Sequence, residues 1–279
     1  MRRITKNVAL QMKESDLYFE DCIIEHCAFM YCTTIRKLVL KNVLLQHSCF
    51  HACSVRELYI ENDFIIKNDK DYCDQFSRCT QLRTVKLTNV SIIPIGCFIL
   101  CTNLSNIKIP NGVEKISEHA FRESGLITVT IPKTTHVIEH RAFNLCRQME
   151  SVFIENGNTF LNICEEAFDF CKQINQFVIP SECQFTLGIN CLLSCELLKH
   201  EFNLTMCTSI GESALRWTIM PIRILHNQLD LMKHQEHEGV ITVDDEDEIN
   251  DMLLNFIPIE IVRIIWNFNT FGLNLRRKI

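Results

Sequence analysis

The sequence has few of the residues that interrupt regular structure and no excess of positive charge. Its 279 residues include only eight glycines and six prolines, which excludes a collagen-like or linker-rich chain. Acidic residues number 34, against 28 lysines and arginines, so we expect no nucleic-acid partner, since such binders concentrate basic charge. No apolar run reaches the roughly 18 residues that span a bilayer, and no transmembrane segment is predicted.

The short motifs that mark catalytic and metal sites are also missing. The sequence contains no G-x-x-x-x-G-K-[ST], G-x-G-x-x-G, G-x-S-x-G or H-E-x-x-H, so phosphate, dinucleotide, serine-hydrolase and zinc-peptidase signatures are absent. None of its 16 cysteines forms a C-x-x-C pair, which many zinc sites use. We therefore predict a protein that is not an enzyme and has no catalytic residue, cofactor or metal.

Whether the cysteines indicate disulfides or free thiols depends on the compartment of the protein. In a small secreted chain they would suggest disulfides. Charged and amide residues interrupt every apolar run in the opening stretch MRRITKNVALQMKE, so no secretory leader is predicted. We expect a cytoplasmic protein with reduced thiols, and disulfides between neighbouring units remain the alternative.

The sequence is built on a repeat in which an aromatic anchor, or its aliphatic replacement, recurs every 21 to 26 residues. This interval lies within the period of about 20–29 residues that leucine-rich repeats use. A typical unit reads Ile-x-x-x-Ala-Phe-x-x-Cys-x-x-Leu-x-x-Val-x-Ile. The nine anchors are Phe29, Phe50, Phe76, Phe98, Phe121, Phe143, Phe168, Leu192 and Leu215.

The end of each unit alternates apolar and polar residues, which is typical of a short strand with one buried face. One unit cannot bury that face alone, so neighbouring units must stack into a continuous core. The cysteine three residues after the anchor would lie in that core as a small apolar residue. The predicted inward-facing pairs are Leu38/Leu40, Leu58/Ile60, Val85/Leu87, Ile107/Ile109, Val129/Ile131, Val152/Ile154 and Phe177/Ile179.

These residues resemble the BspA-like leucine-rich-repeat family, whose units read I-x-x-x-A-F-x-x-C-x-x-L-x-x-I-x-I-P. The resemblance covers residues 24–217 and is clearest over 93–180. It implies a leucine-rich-repeat solenoid whose short parallel strands form one curved sheet, with loops or short helices on the other wall. It also implies an adhesion or interaction protein without catalytic residues. We predict a non-catalytic protein-binding scaffold, with a cell-surface adhesin as one alternative.

The chain is predicted to have four parts. Residues 1–23 form an N-terminal cap, 24–217 the solenoid of about nine units, 218–248 a linker with an acidic run, and 249–279 a small helical C-terminal segment. Concave solenoid surfaces commonly bind partners, so the exposed strand positions are the predicted site for a protein partner of unknown identity. These positions are Val39, Tyr59, Lys86, Lys108, Thr130, Phe153 and Val178.

The C-terminal segment resembles the opening helix of an F-box, or the short C-terminal box of viral ankyrin proteins, which read roughly L-P-x-E-I-x-x-x-I-x-x-x-L. A second alternative is therefore a ubiquitin-ligase substrate receptor that docks a ligase adaptor through this helix. A helix that caps the solenoid, or one that lies on a membrane surface, is also compatible with the pattern. The matching residues are Ile257, Pro258, Glu260, Ile261, Ile265 and Phe268.

Overall fold

The structure is a computed structural model that describes residues 2–63, 74–198, 206–215 and 218. The chain divides into two units, Met1–Lys233 and His234–Ile279, and every described residue lies in the first. The predicted acidic run and the C-terminal helical segment, including all six residues of the F-box-like match, lie outside the described residues.

The described residues form short strands and one short helix. In chain order these are β1 (Arg2–Ile4), α1 (Lys6–Ala9), β2 (Asp16–Glu20), β3 (Cys22–Ile24), β4 (Lys37–Lys41), β5 (Leu44–Leu45), β6 (Glu57–Glu61), β7 (Thr84–Thr88), β8 (Ile92–Ile93), β9 (Asn106–Lys108), β10 (Lys115–Ile116), β11 (Thr128–Ile131), β12 (Val137–Ile138), β13 (Ser151–Ile154), β14 (Phe160–Ile163), β15 (Gln176–Val178), β16 (Gln184–Leu187) and β17 (Cys207–Ile210). The side chain of Thr5 caps α1 by accepting a hydrogen bond from the Val8 amide.

The strands stack in parallel, one coil on the next, and build a solenoid. The larger sheet has eight strands in the order β15-β13-β11-β9-β7-β6-β4-β2. Equivalent repeat positions pair across it, as Leu38 does with Leu58 and Leu58 with Val85. The predicted inward-facing strand residues are buried, apart from Ile179, which is partly buried against the core. The prediction of a leucine-rich-repeat solenoid is confirmed.

The wall opposite the larger sheet differs from the expected loops or short helices. It contains a six-stranded parallel sheet, β17-β16-β14-β12-β10-β8, and a three-stranded one, β1-β3-β5. The isoleucine that leads each repeat, such as Ile116 or Ile138, is the buried residue of these short strands. A two-residue strand buries one side chain and shows no alternation, so the sequence pattern does not reveal it.

The solenoid begins before residue 24. Strand β2 pairs with β4 in full register, and β1 pairs with β3. Leu17 and Phe19 point into the same core as Leu38 and Leu40. Residues 16–24 are therefore a coil of the array, inside the segment expected to be an N-terminal cap.

The segments around the anchors form a third side of each coil, which we call the turn wall. Two residues before the anchor and two residues after it, the backbone is left-handed, as at His119 and Glu123 (φ 56° at both) around Phe121. Most of these residues are not glycine and would each cost about 1–2 kcal/mol in isolation. The cost is offset by hydrogen bonds between coils, because each anchor amide donates to the carbonyl that precedes the next anchor, over 2.8–3.1 Å.

The anchor side chains stack through the core as a column. From Phe29 to Phe168 the described rings follow one another at centroid separations of 4.9–5.9 Å, with interplanar angles of 13° or less. Phe177 meets Phe168 edge-on. Offset stacks of this kind contribute about 0.5–1.5 kcal/mol per pair beyond the area they bury.

The repeated cysteine is a hydrogen-bond donor in the core. The Sγ atom of Cys53 lies 2.7 Å from the carbonyl oxygen of Phe29, the anchor one coil earlier, and Cys101 makes the same bond to Phe76 over 3.2 Å. Burial raises the pKa of the Cys79 thiol to about 12, which keeps the proton that this bond needs. All fifteen cysteines of the described residues are free thiols.

Candidate functional site

The seven predicted site residues form one row across the larger sheet. Val39 pairs with Tyr59, and Tyr59 with Lys86. The row continues through the register pairs Lys86/Lys108, Lys108/Thr130, Thr130/Phe153 and Phe153/Val178. Parallel pairing sets neighbouring members about 4.8 Å apart. The structure therefore brings all seven residues together. We call these seven residues and Tyr18 the exposed row.

The sequence reading missed one member of the exposed row. Tyr18 pairs with Val39 in register and is 58% exposed, more than Val178 at 48%. It was missed because residues 1–23 lack an anchor of the Ala-Phe type and were assigned to a cap. The alternation of buried Leu17 and Phe19 around it is the signal that could have identified this strand.

Charged side chains hold the tyrosines at the N-terminal end of the exposed row. The ammonium groups of Lys37 and Lys86 lie 5.3 Å and 5.4 Å from the ring centroid of Tyr59, within the range of cation–π attraction. The Tyr59 hydroxyl donates to Glu57 over 3.1 Å, and this bond raises the pKa of Tyr59. The Tyr59 ring is thus restrained on three sides, which lowers the entropy it would lose on binding a partner.

Tyr18 is restrained in a similar way. Its hydroxyl donates to Glu20 over 2.9 Å, and Lys41 forms an ion pair with the same carboxylate over 3.0 Å. The hydrogen bond from Lys41 holds the pKa of Glu20 below its usual range. These groups are exposed, so their value lies in orienting the ring more than in stability.

Basic side chains run along one edge of the same coils. Arg36, Arg56 and Arg83 are exposed residues that immediately precede β4, β6 and β7. Successive backbones are joined there, since the Arg56 amide donates to the Arg36 carbonyl and the Arg83 amide to the Arg56 carbonyl. None of the three forms an ion pair with a carboxylate of the described residues. With Lys37, Lys41 and Lys86 they outnumber the acidic residues Asp16, Glu20, Glu57 and Glu61 along the strands of the first four coils, and Lys108 follows on the fifth, on a chain of net charge −6.

The C-terminal end of the exposed row is different in character. Thr130 and Val178 are exposed and Phe153 is half-buried. Their neighbours at the start of each strand, Thr128 and Ser151, carry no charge. The exposed row therefore changes from aromatic and cationic at one end to neutral and apolar at the other.

The stacked parallel strands, the buried anchor column and the open strand face together define a leucine-rich-repeat protein. The profile of the BspA-type leucine-rich-repeat region matches residues 19–101 and 91–220, in six copies. The chain belongs to the BspA-type leucine-rich-repeat family. No curated protein matches the sequence.

Several solved structures are similar to this chain. A leucine-rich-repeat protein from T. pallidum has 22% identity and a TM-score of 0.47, with 67% of this chain and 79% of that chain covered. One from Bacteroides ovatus has 16% identity and a TM-score of 0.42, with 68% and 67% covered. A leucine-rich cell surface protein from Faecalibacterium prausnitzii has 16% identity and a TM-score of 0.36, with 69% and 73% covered. Within the part of the chain that the structure describes, no helix is long and apolar enough to cross a membrane.

Proposed function

We propose that this chain is a non-catalytic scaffold that binds a protein partner through the exposed row. The observation that supports the proposal is the continuity of the row from Tyr18 to Val178 on a rigid sheet. Binding energy at protein interfaces is concentrated in a few aromatic and arginine side chains. Tyr18, Tyr59 and Phe153 supply the aromatic side chains. Arg36, Arg56 and Arg83 supply the arginines.

The partner that suits this surface carries acidic groups opposite the first four coils and apolar groups opposite the last three. Arg36, Arg56 and Arg83 are available for carboxylates because no described acidic residue pairs with them. Guanidinium groups bind carboxylates in a two-bonded geometry that lysine cannot match. Association with such a partner should become slower as salt concentration rises, because exposed charges are screened.

We place this scaffold in a reducing compartment such as the cytoplasm. The core thiols donate hydrogen bonds to anchor carbonyls of the preceding coil, as Cys53 and Cys101 do. A disulfide between coils would remove two such donors and leave their acceptors unsatisfied, at about 1–3 kcal/mol for each buried carbonyl. A reducing compartment preserves the thiols.

The test compares a variant of the exposed row with a matched control. A partner purified with the parent protein is titrated against the double variant Tyr59→Ala/Phe153→Ala and against Phe160→Ala, which removes an exposed ring from β14 on the other wall. Loss of two hot-spot side chains predicts an affinity at least about 30-fold weaker. An unchanged dissociation constant for the double variant, or an equal loss in Phe160→Ala, would show that another surface binds.

A further inference from the structure

A cluster of metal-ligating side chains lies on the turn wall, outside the exposed row. Glu118 and His119 immediately precede the Ala-Phe pair that ends in Phe121, and His140 occupies the position before Phe143 that Glu118 occupies before Phe121. The backbone holds the two coils together there, because the His119 amide donates to the His140 carbonyl over 3.1 Å. The cluster thus joins two consecutive coils, and it belongs to no motif because its members come from different repeats.

The Glu118 carboxylate lies between the two imidazoles. Its Oε1 atom is 3.3 Å from Nε2 of His119 and 3.3 Å from Nδ1 of His140, and the three ligand atoms all lie within 4.8 Å of one another. Charge-assisted hydrogen bonds from nitrogen to oxygen are shorter, at about 2.7–2.9 Å. With metal–ligand bonds of about 2.0–2.1 Å, a tetrahedral zinc ion sets its ligand atoms about 3.3–3.5 Å apart. Two sides of the triangle of ligand atoms already have that length.

The three side chains differ in how firmly they are held. The side chain of His119 is only 7% exposed, whereas those of His140 and Glu118 are 34% and 41% exposed. His119 is therefore a fixed ligand, and the other two can turn toward an ion that enters from solvent.

Further carboxylates lie around the cluster. The Glu118 amide donates to the Glu139 carboxylate over 3.0 Å. The His140 ring lies within 4.8 Å of the carboxylates of Glu165 and Glu166.

The cations close to the cluster are paired elsewhere. Arg141 forms an ion pair with Glu166, and Lys115 forms one with Glu139 over 3.2 Å. Glu118, in contrast, pairs with no lysine or arginine of the described residues. Its negative charge is thus left for the histidines or for a cation between them.

We propose that Glu118, His119 and His140 form a site for a divalent ion of the zinc class, which links two consecutive coils. Two imidazole nitrogens and one carboxylate oxygen are ligands that zinc accepts. Because Glu118 and His140 are partly exposed, the fourth position faces water. The ion acts as a clip between the coils around Phe121 and Phe143, and this role is independent of the partner-binding function proposed above.

The test is a titration of the full-length protein with Co²⁺, which reports a tetrahedral site by its visible absorption. We expect one equivalent to bind, and Zn²⁺ to displace it. Removing a ligand should weaken binding by more than the 10- to 100-fold that loss of an outer-shell partner costs, so His140→Gln and Glu118→Gln should each abolish the signal. His119 is left unchanged because it is buried. The control is His136→Gln, which changes an exposed histidine that immediately precedes β12 and lies outside the cluster.

The result can also overturn the proposal. No bound Co²⁺ in the parent protein would do so, as would full binding by both Glu118→Gln and His140→Gln. A strong near-ultraviolet thiolate band on the bound cobalt would likewise do so, because it would assign the ion to cysteines. Circular dichroism checks that each variant is folded, and if His140→Gln fails to fold, Glu118→Gln decides alone. A second readout is the melting temperature, which added Zn²⁺ should raise in the parent and in His136→Gln only.

Discussion

The anchor column makes a quantitative prediction about coupling between coils. The ring of Phe121 stacks on Phe98 at 5.4 Å and on Phe143 at 5.2 Å, and all three side chains are fully buried. Phe121→Leu keeps an apolar side chain but removes two stacked pairs, worth about 1–3 kcal/mol together, and leaves a small void. We expect the free energy of unfolding to fall by roughly 2–4 kcal/mol in total.

A double-mutant cycle separates stacking from burial. The pair Phe98→Leu and Phe121→Leu removes a direct contact, so the two losses should deviate from additivity by about 0.5–1.5 kcal/mol. The pair Phe50→Leu and Phe121→Leu lies two anchors further apart and should be additive within about 0.5 kcal/mol. Equilibrium urea unfolding followed by circular dichroism measures both cycles, with unchanged m-values as the condition for comparing them. Equal coupling in the two cycles would refute the stacking account.

Four further predictions concern single residues. Burial raises the pKa of Asp169 from its ordinary 3.8 to about 6. The stability that the protonated carboxyl contributes is therefore present below about pH 4 and is lost as pH rises through about 6. Urea unfolding should show that Asp169→Asn is more stable than the parent above pH 6 and no more stable near pH 4. Ala52 is left-handed (φ 55°), so Ala52→Gly should raise the free energy of unfolding by up to about 1 kcal/mol. Gly125→Ala should lower the free energy of unfolding by about 1–3 kcal/mol, because the added Cβ would collide with the Thr102 carbonyl oxygen. An unchanged free energy of unfolding in Ala52→Gly or in Gly125→Ala would contradict these backbone arguments. Cys32 is partly exposed, and its Sγ atom lies 3.3 Å from the Thr34 hydroxyl oxygen, so it should alkylate faster than the buried thiols, and Cys32→Ser should reduce the amplitude of the fast phase of iodoacetamide labelling.

The core and every member of the exposed row except Tyr18 could be predicted because both follow from period and alternation. Once the anchor Phe121 defines the frame, Val129 and Ile131 must point inward and Thr130 outward, since successive strand residues face opposite sides. The same frame placed Lys86 beside Lys108 and Phe153 beside Val178 without any knowledge of coordinates. The register pairs of the larger sheet confirm each of these neighbours.

Other features could not be predicted, for reasons that are physical. The two-residue strands of the second wall, such as β10 and β12, bury one residue each, so they leave no periodic signal. The left-handed residues of the turn wall are stabilised by hydrogen bonds to the next coil. The local sequence around a residue such as His119 therefore does not predict its positive φ. The triad of Glu118, His119 and His140 depends on which residues share a position in neighbouring repeats.

The separation of core from surface explains why the repeat pattern predicts the fold but does not identify a partner. Each core position is constrained by two neighbouring coils, as Phe121 is by Phe98 and Phe143, so a few repeat positions determine the whole interior. The outward positions contact other surface side chains and solvent, and the exposed row therefore accepts residues as different as Tyr59, Lys108 and Val178. The scaffold sets their spacing but not their chemistry. Under the proposed function, we expect selectivity to depend on the order of side chains along the exposed row, from its cationic aromatic end to its neutral apolar end.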